Sequence, residues 1–138
     1  MTQWQDRRSH TLESMQLVMG PLPDRSDLPA LDVEVIETIK IAGVERRRIT
    51  YMAEQGDRVP AYLLVPEELV NPAPAMLCLH QTTAIGKSEP AGLGGKQNLH
   101  YGLELANRGY ITLMPDYPGY GDNKFDPYEH GYSSTTMK

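Results

Sequence analysis

The feature that most constrains the fold of this chain is a pair of short apolar segments with a helical pattern between them. The residues from Ala75 to Leu79 are apolar without polar alternation, which is typical of a strand covered on both faces. From Asn98 to Arg108 apolar side chains recur at helical spacing, and Gly109 is suited to end that helix. Ile111 to Met114 is a second short apolar segment. This succession predicts a βαβ unit with two parallel strands.

Upstream of that unit the pattern changes to alternation of apolar and polar residues, which predicts strands with one exposed face. Glu54 to Asp57 has the composition of a tight turn, so the segments on either side of it should pair as an antiparallel hairpin. Pro60 and Pro66 place the last segment near a sheet edge or limit its length. The alternating segments are 33–41, 48–53 and 59–65. The fold class is therefore α/β, with a sheet that begins antiparallel and becomes parallel.

The amino-terminal residues have a different character. Gln3 to Met19 carries apolar side chains at helical spacing, Gly20 and Pro21 end the pattern, and a proline-rich connection continues to Leu31. We therefore divide the 138-residue chain into residues 1–31, a helix with its proline-rich connection, and residues 32–138, the α/β domain.

Charge and composition argue against nucleic acid as a partner and favour a soluble protein without a metal site. The formal net charge is −5, and the dense cationic run Arg46–Arg48 is expected on a solvated strand face, so nucleic acid is not an expected partner. The sequence shows no signal-peptide core and no apolar stretch of membrane-spanning length, which favours a soluble, cytoplasmic protein. Cys78 lies inside an apolar run and is expected to be a buried small side chain. The spacing of the four histidines suggests no metal site, and no cofactor is expected.

The run Gly86-Lys87-Ser88 raises the alternative of a nucleotide-binding P-loop. It matches the second half of G-x-x-x-x-G-K-[ST], but Gln81 stands where the first glycine belongs. The residues after it contain Pro90 and three glycines, which deny the phosphate-binding helix any length. The P-loop is therefore disfavoured, and Lys87 is expected to pair with Glu89 and brace the loop.

The ends of the two apolar strands offer a different chemistry. His80–Thr83 and Asp116–Gly121 follow them directly, and ligands of α/β sheets collect beyond the carboxyl ends of parallel strands. A loop that follows such a strand can direct backbone N–H groups at an oxyanion that develops on a substrate carbonyl. The N–H of Gln81 is the natural donor.

These motifs resemble the α/β-hydrolase superfamily, in which a histidine-led oxyanion loop follows the third strand and an Asp-x-x-Gly-x-Gly turn follows the fourth. Within it the sequence looks most like the dienelactone-hydrolase and acetyl-xylan-esterase branch, including relatives of prolyl-oligopeptidase type. The segment Arg58–Leu63 and the helix end Leu103–Gly109 fit the same pattern, and the resemblance covers roughly residues 46–138.

The resemblance implies a carboxylic ester hydrolase with an acyl-enzyme mechanism and a small-molecule ester substrate. It implies that the Gln81 N–H lies in the oxyanion hole, that His80 orients the loop, and that the pocket wall is formed by Thr82, Tyr117 and Tyr120. His100 is expected to be solvated on its helix face and His130 to be a surface residue.

The family's serine elbow, G-x-S-x-G, has no match among the six serines. The nearest approach, Gly131–Thr135, lacks the second glycine, and no histidine follows an elbow as a triad base would. We therefore expect the first half of a hydrolase, ending before the nucleophile and inactive alone. We expect the open edge on Ile111–Met114, where it would promote self-association or binding of a complementing chain. The alternative is a non-catalytic binding or interaction module on the same scaffold.

Overall fold

The structure is a computed structural model that describes residues 2–20, 26, 28–69 and 72–126. These residues form a five-stranded sheet in the order β1-β2-β3-β5-β4. The β1-β2, β2-β3 and β3-β5 pairs are antiparallel, and the β4-β5 pair is parallel, which confirms the predicted α/β class. The elements are α1 (Thr2–Met19), β1 (Glu34–Ile41), β2 (Val44–Glu54), β3 (Asp57–Pro66), β4 (Ala75–Leu77), α2 (Tyr101–Ala106) and β5 (Ile111–Pro115).

The predicted hairpin is β2-β3, and its strands are longer than the alternation indicated because the turn is confined to Gln55 and Gly56. Pro66 is the last residue of β3, so it does limit the strand. The edge position is wrong, because β3 lies between β2 and β5. Pro60 is tolerated there because it lies opposite the end of β5. Its carbonyl accepts the Asp116 N–H (2.9 Å) just past that end, and no residue of β5 requires the N–H that proline lacks.

The crossover helix is shorter than predicted: a single 3₁₀ turn occupies Gln97–Leu99, and α2 begins at Tyr101. The predicted glycine cap is confirmed. Gly109 has φ +92° and donates its N–H to the Ala106 carbonyl (3.0 Å), while the Tyr110 N–H reaches the Leu105 carbonyl (3.1 Å). These two bonds form a Schellman motif, which satisfies carbonyls that the helix end leaves open.

The core lies between the sheet, α2 and the connection after β4. Cys78 belongs to it at 2% exposure, and burial raises the pKa of its thiol, which confirms the expected small apolar role. The buried residues of this core cluster are Val44, Leu64, Cys78, Ala91, Ala106 and Met114.

The position of the open edge corrects the sequence-based expectation. The strand β5 has neighbours on both sides, and β4 is the last strand of the sheet. Met76 and Leu77 on β4 are 43% and 57% exposed, so β4 is not covered on both faces by the residues described here. Two apolar side chains of this edge strand are therefore exposed within the described part of the chain.

The amino-terminal helix is confirmed, but its apolar face is not buried. All side chains of residues 3–19 are exposed, including Leu12, Met15 and Met19 of the predicted apolar face. None of the helices in the described ranges has the length and apolar character needed to cross a bilayer. The division of the chain at residue 31 stays a prediction.

Candidate functional site

The His80 ring joins the two loops at the carboxyl ends of β4 and β5. Its side chain is fully buried, and its Nε2 accepts the Tyr117 N–H at 3.0 Å. Its Nδ1 lies 2.5 Å from the Gln81 carbonyl oxygen. Because Nε2 acts as an acceptor, we assign the proton to Nδ1, which donates to that carbonyl; His80 is then neutral.

Three of the other predicted site residues, Gln81, Tyr117 and Tyr120, contact this ring. Tyr117 packs against it at 4.2 Å between ring centroids and Tyr120 meets it edge-on at 5.8 Å, whereas Gln81 and Thr82 are exposed. Among the described residues the Gln81 N–H finds no acceptor, although the carbonyl of the same residue is held by His80. The structure thus brings together four of the five predicted site residues, His80, Gln81, Tyr117 and Tyr120, and the exposed Thr82 follows Gln81 in the chain.

Beneath this edge lies the buried Asp116 carboxylate, which sequence reasoning placed at the start of the turn after β5 but did not count among the site residues. The Asp116 side chain is fully buried; its Oδ1 accepts the Lys87 N–H (2.7 Å), and its Oδ2 accepts the Asp122 N–H (2.9 Å). The Lys87 ammonium forms an ion pair with the same Oδ2 at 2.5 Å. The His80 Nε2 lies 4.0 Å from Oδ1. This one carboxylate therefore links the connection after β4 to the turn after β5.

The expected pairing of Lys87 with Glu89 is wrong. The Lys87 side chain is 2% exposed and reaches a second carboxylate, Asp122, at 2.8 Å, while its Nζ lies 5.2 Å from the centroid of the Tyr62 ring. Glu89 instead accepts the Lys96 N–H at 3.2 Å. Two carboxylates and an aromatic face thus surround the ammonium, as a buried cation requires.

This placement also removes the P-loop alternative. The Lys87 ammonium is enclosed by protein and directed at carboxylates, so it cannot meet a phosphate. Gly86–Ser88 is a single 3₁₀ turn followed by further turns, and no α-helix begins there.

Asp122 connects the buried pair to the surface. The hydrogen bond from Lys87 lowers the pKa of its carboxyl, against the opposing effect of burial, and Arg48 at 3.4 Å adds to the lowering. A lowered native pKa means that the charged form stabilises the fold above the unfolded pKa, and that this contribution disappears as the pH falls through the native value. Arg48 thus does not merely face solvent, as the prediction for Arg46–Arg48 had it, and Arg46 lies 5.4 Å from the Tyr62 ring centroid.

Two glycines leave the space that the Asp116 carboxylate occupies. A Cβ atom added to Gly86 or to Gly121 would lie 2.2 Å from Asp116 Oδ1, and both glycines have positive φ, +50° and +56°. Any larger residue at either position would push the carboxylate out of its hydrogen bonds.

We expect Gly121→Ala to destabilise the fold more than Gly43→Ala. Gly43 also has positive φ, +86°, but a Cβ there meets nothing within 4 Å, so it reports the backbone strain alone. Overpacking adds about 1–3 kcal/mol to that strain, and urea unfolding of the two variants measures the difference. Equal destabilisation would show that the carboxylate is not tightly enclosed.

Other candidate residues lie apart from this site. His100 is less exposed than expected, since it is half-buried and its Nε2 lies 2.9 Å from the Gly94 carbonyl oxygen. His130 and Gly131–Thr135 fall outside the described residues. Within the described residues no group of three or more His, Cys, Asp or Glu side chains could hold a metal ion.

The Lys87–Asp116 ion pair was not predicted because it joins residues that are 29 positions apart in the sequence, and local patterns do not report such contacts. The available signal was indirect: a glycine precedes the lysine in a loop unsuited to phosphate, and two glycines follow the aspartate in its turn. Such glycines indicate close approach of another group, but they do not say which group.

With this geometry in hand, comparison with known proteins shows the fold. No family model matches the chain, and no curated protein matches it. Among solved structures it is similar to a "putative acetyl xylan esterase" of Bacteroides fragilis, with a TM-score of 0.67 and 20% sequence identity. The match covers 99% of this chain and 40% of that protein. The chain therefore shares the α/β fold of that structure and spans less than half of its length.

Proposed function

We propose that this chain is the amino-terminal part of a serine-type hydrolase of carboxylic esters, in which it supplies the oxyanion loop and one wall of the pocket. The observation that carries the proposal is the state of Gln81. Its carbonyl is held by the buried His80 ring, while its N–H, at the carboxyl end of β4, has no acceptor among the described residues. A donor held in this way costs little reorganisation when charge develops on a substrate oxygen.

The proposed chemistry is acyl transfer. A serine outside this chain attacks the ester carbonyl, the carbonyl oxygen becomes an oxyanion, and the Gln81 N–H and the N–H after that serine both donate to it. Departure of the alcohol leaves an acyl-enzyme, which water then hydrolyses. His80 takes no proton in this scheme; it holds the Gln81 peptide through Nδ1.

The pocket wall is formed by Tyr117, Tyr120 and Thr82. Both tyrosine rings are half-buried against His80, and Thr82 is exposed beside Gln81. Such rings can pack against an acyl or sugar group and can donate hydroxyl hydrogen bonds to its oxygens.

We also propose that the nucleophile-bearing strand pairs with β4. The free side of β4 and its exposed apolar residues Met76 and Leu77 support this placement, since an uncovered edge of this kind is a template for another strand. The strand could come from a longer form of the same polypeptide or from a complementing chain. In its absence we expect self-association of the 138-residue chain.

The test is covalent labelling with a fluorophosphonate probe, together with hydrolysis of p-nitrophenyl acetate. We expect the 138-residue chain to remain unlabelled and the product of the complete reading frame to be labelled at a serine beyond Lys138. Absence of labelling and of hydrolysis in both would contradict the proposal and favour a non-catalytic binding module. Labelling of the short chain at Ser133 would overturn the placement of the nucleophile.

A further inference from the structure

We infer that Lys87 is a positioning residue: by neutralising Asp116 it keeps His80 uncharged, and so holds the Gln81 main chain against the turn after β5. The importance of that main chain for catalysis rests on the proposed function. The control of His80 by Lys87 does not, and it can be measured without any substrate.

The charges of Lys87 and Asp116 are both buried. Lys87 and Asp116 are 2% and 0% exposed at their side chains, and their charged atoms are 2.5 Å apart. A buried ion pair stabilises a fold no better than apolar residues of similar volume, because both charges lose their hydration. Stability alone therefore gives no reason for a lysine at this position.

Two neighbours of His80 Nε2 have opposite effects on that nitrogen. The buried Asp116 carboxylate places a negatively charged oxygen 4.0 Å from Nε2, where it repels a lone pair on that nitrogen and attracts a proton. The Tyr117 N–H points at Nε2 from 3.0 Å and requires that this nitrogen carry no proton. Both conditions hold together only if the carboxylate charge is compensated from another side, and the Lys87 ammonium provides that compensation.

The remaining groups around the ring do not replace it. Tyr117 and Tyr120 face His80 with their rings, at 4.2 Å and 5.8 Å between centroids. The second carboxylate on the ammonium, Asp122, is itself balanced by Arg48 at 3.4 Å and by the nearby Lys124. Among these groups, the cation in contact with Asp116 is Lys87.

The position of the His80 ring also determines the position of the Gln81 peptide. A proton on Nε2 would place two donors opposite each other at the Tyr117 contact, and the ring would have to move. The same ring holds the Gln81 carbonyl through Nδ1 at 2.5 Å. Movement of the ring would therefore displace the peptide that carries the proposed oxyanion donor.

The experiment is ¹⁵N NMR of the histidine side chains and backbone amides of the 138-residue chain at pH 7. In the wild type we expect His80 with a proton on Nδ1 and an unprotonated Nε2 that accepts from Tyr117. In Lys87→Met we expect the Nε2 resonance to move to the protonated range and the Gln81 and Tyr117 amide resonances to shift. In Lys87→Met/Asp116→Asn, which removes both charges, we expect His80 to be neutral again. Ser88→Ala, one residue away, is the control and should leave His80 unchanged.

A wild-type ring protonated on Nε2 overturns the inference, and so does a folded Lys87→Met variant with unchanged His80 resonances. If Lys87→Met does not fold, the double variant decides: a neutral His80 supports the inference, and a charged ring or a second failure to fold overturns it. Ester hydrolysis by the complete reading-frame product is scored separately. If the NMR pattern holds but substitution of Gln81 leaves kcat unchanged, the proposed function fails and the positioning role of Lys87 stands.

Discussion

If the proposed function holds, we expect Gln81→Pro to lower kcat for p-nitrophenyl acetate by about 100-fold to 1,000-fold in the product of the complete reading frame, as loss of one oxyanion-hole donor does. Proline removes the backbone N–H and leaves the Gln81 carbonyl in place, so the hydrogen bond from His80 is kept. The residue before a proline prefers an extended backbone, which suits a position just after a strand. We expect the loss to fall on kcat more than on KM, because the oxyanion exists only in the transition state.

Gln81→Ala is the matched control for this prediction. It removes the exposed side chain and keeps the N–H, so kcat should stay within a few-fold of the wild type. Circular dichroism and urea unfolding establish that both variants are folded. Equal losses in Gln81→Pro and Gln81→Ala would show that the side chain, and not the N–H, is the functional group.

Asp116→Ala destabilises the fold by about 3–5 kcal/mol, the cost of leaving one member of a buried ion pair without its partner. The substitution strands the Lys87 ammonium at 2% exposure with only the half-exposed Asp122, and it removes the acceptor of the Lys87 and Asp122 N–H groups. Urea unfolding should show a lower midpoint with an unchanged slope.

Glu104→Ala provides the comparison for Asp116→Ala. Glu104 pairs with Arg108 at 2.6 Å one helical turn away, but both side chains are more than half exposed. An exposed pair of this kind contributes about 0.2–1 kcal/mol because water screens it. If the two variants lose the same stability, Asp116 is not the buried charge centre that the structure describes.

Local sequence patterns predicted most of the turns, helix ends and strand pairs. Gly109 predicted a helix end that the structure forms with φ +92°, because glycine alone adopts that backbone conformation without strain. Turn residues between β2 and β3 predicted the hairpin, and the apolar segments around α2 predicted the parallel pair β4-β5. Each of these depends on residues close together in the chain.

The order of the strands could not be predicted in the same way. The chain passes from β4 through α2 to β5, yet β5 inserts between β4 and β3, so the strand reached last is interior and the earlier one lies at the edge. Both strands are mostly apolar, so their composition does not show which of them lies at the edge. The prediction of an open edge on Ile111–Met114 was wrong for this reason.

In the candidate site, too, the sequence predicted the features that depend on neighbouring residues, and the tertiary structure decided the contacts between distant ones. The sequence by itself determined that His80, Gln81 and the Asp116–Gly121 turn lie at one sheet edge, because the carboxyl ends of parallel strands meet there. Only the tertiary structure decided that Lys87 turns away from Glu89 and pairs with Asp116, 29 positions further along the chain. Local patterns report backbone preference and burial, whereas the partner of a buried charge depends on which distant groups the fold brings within hydrogen-bond distance.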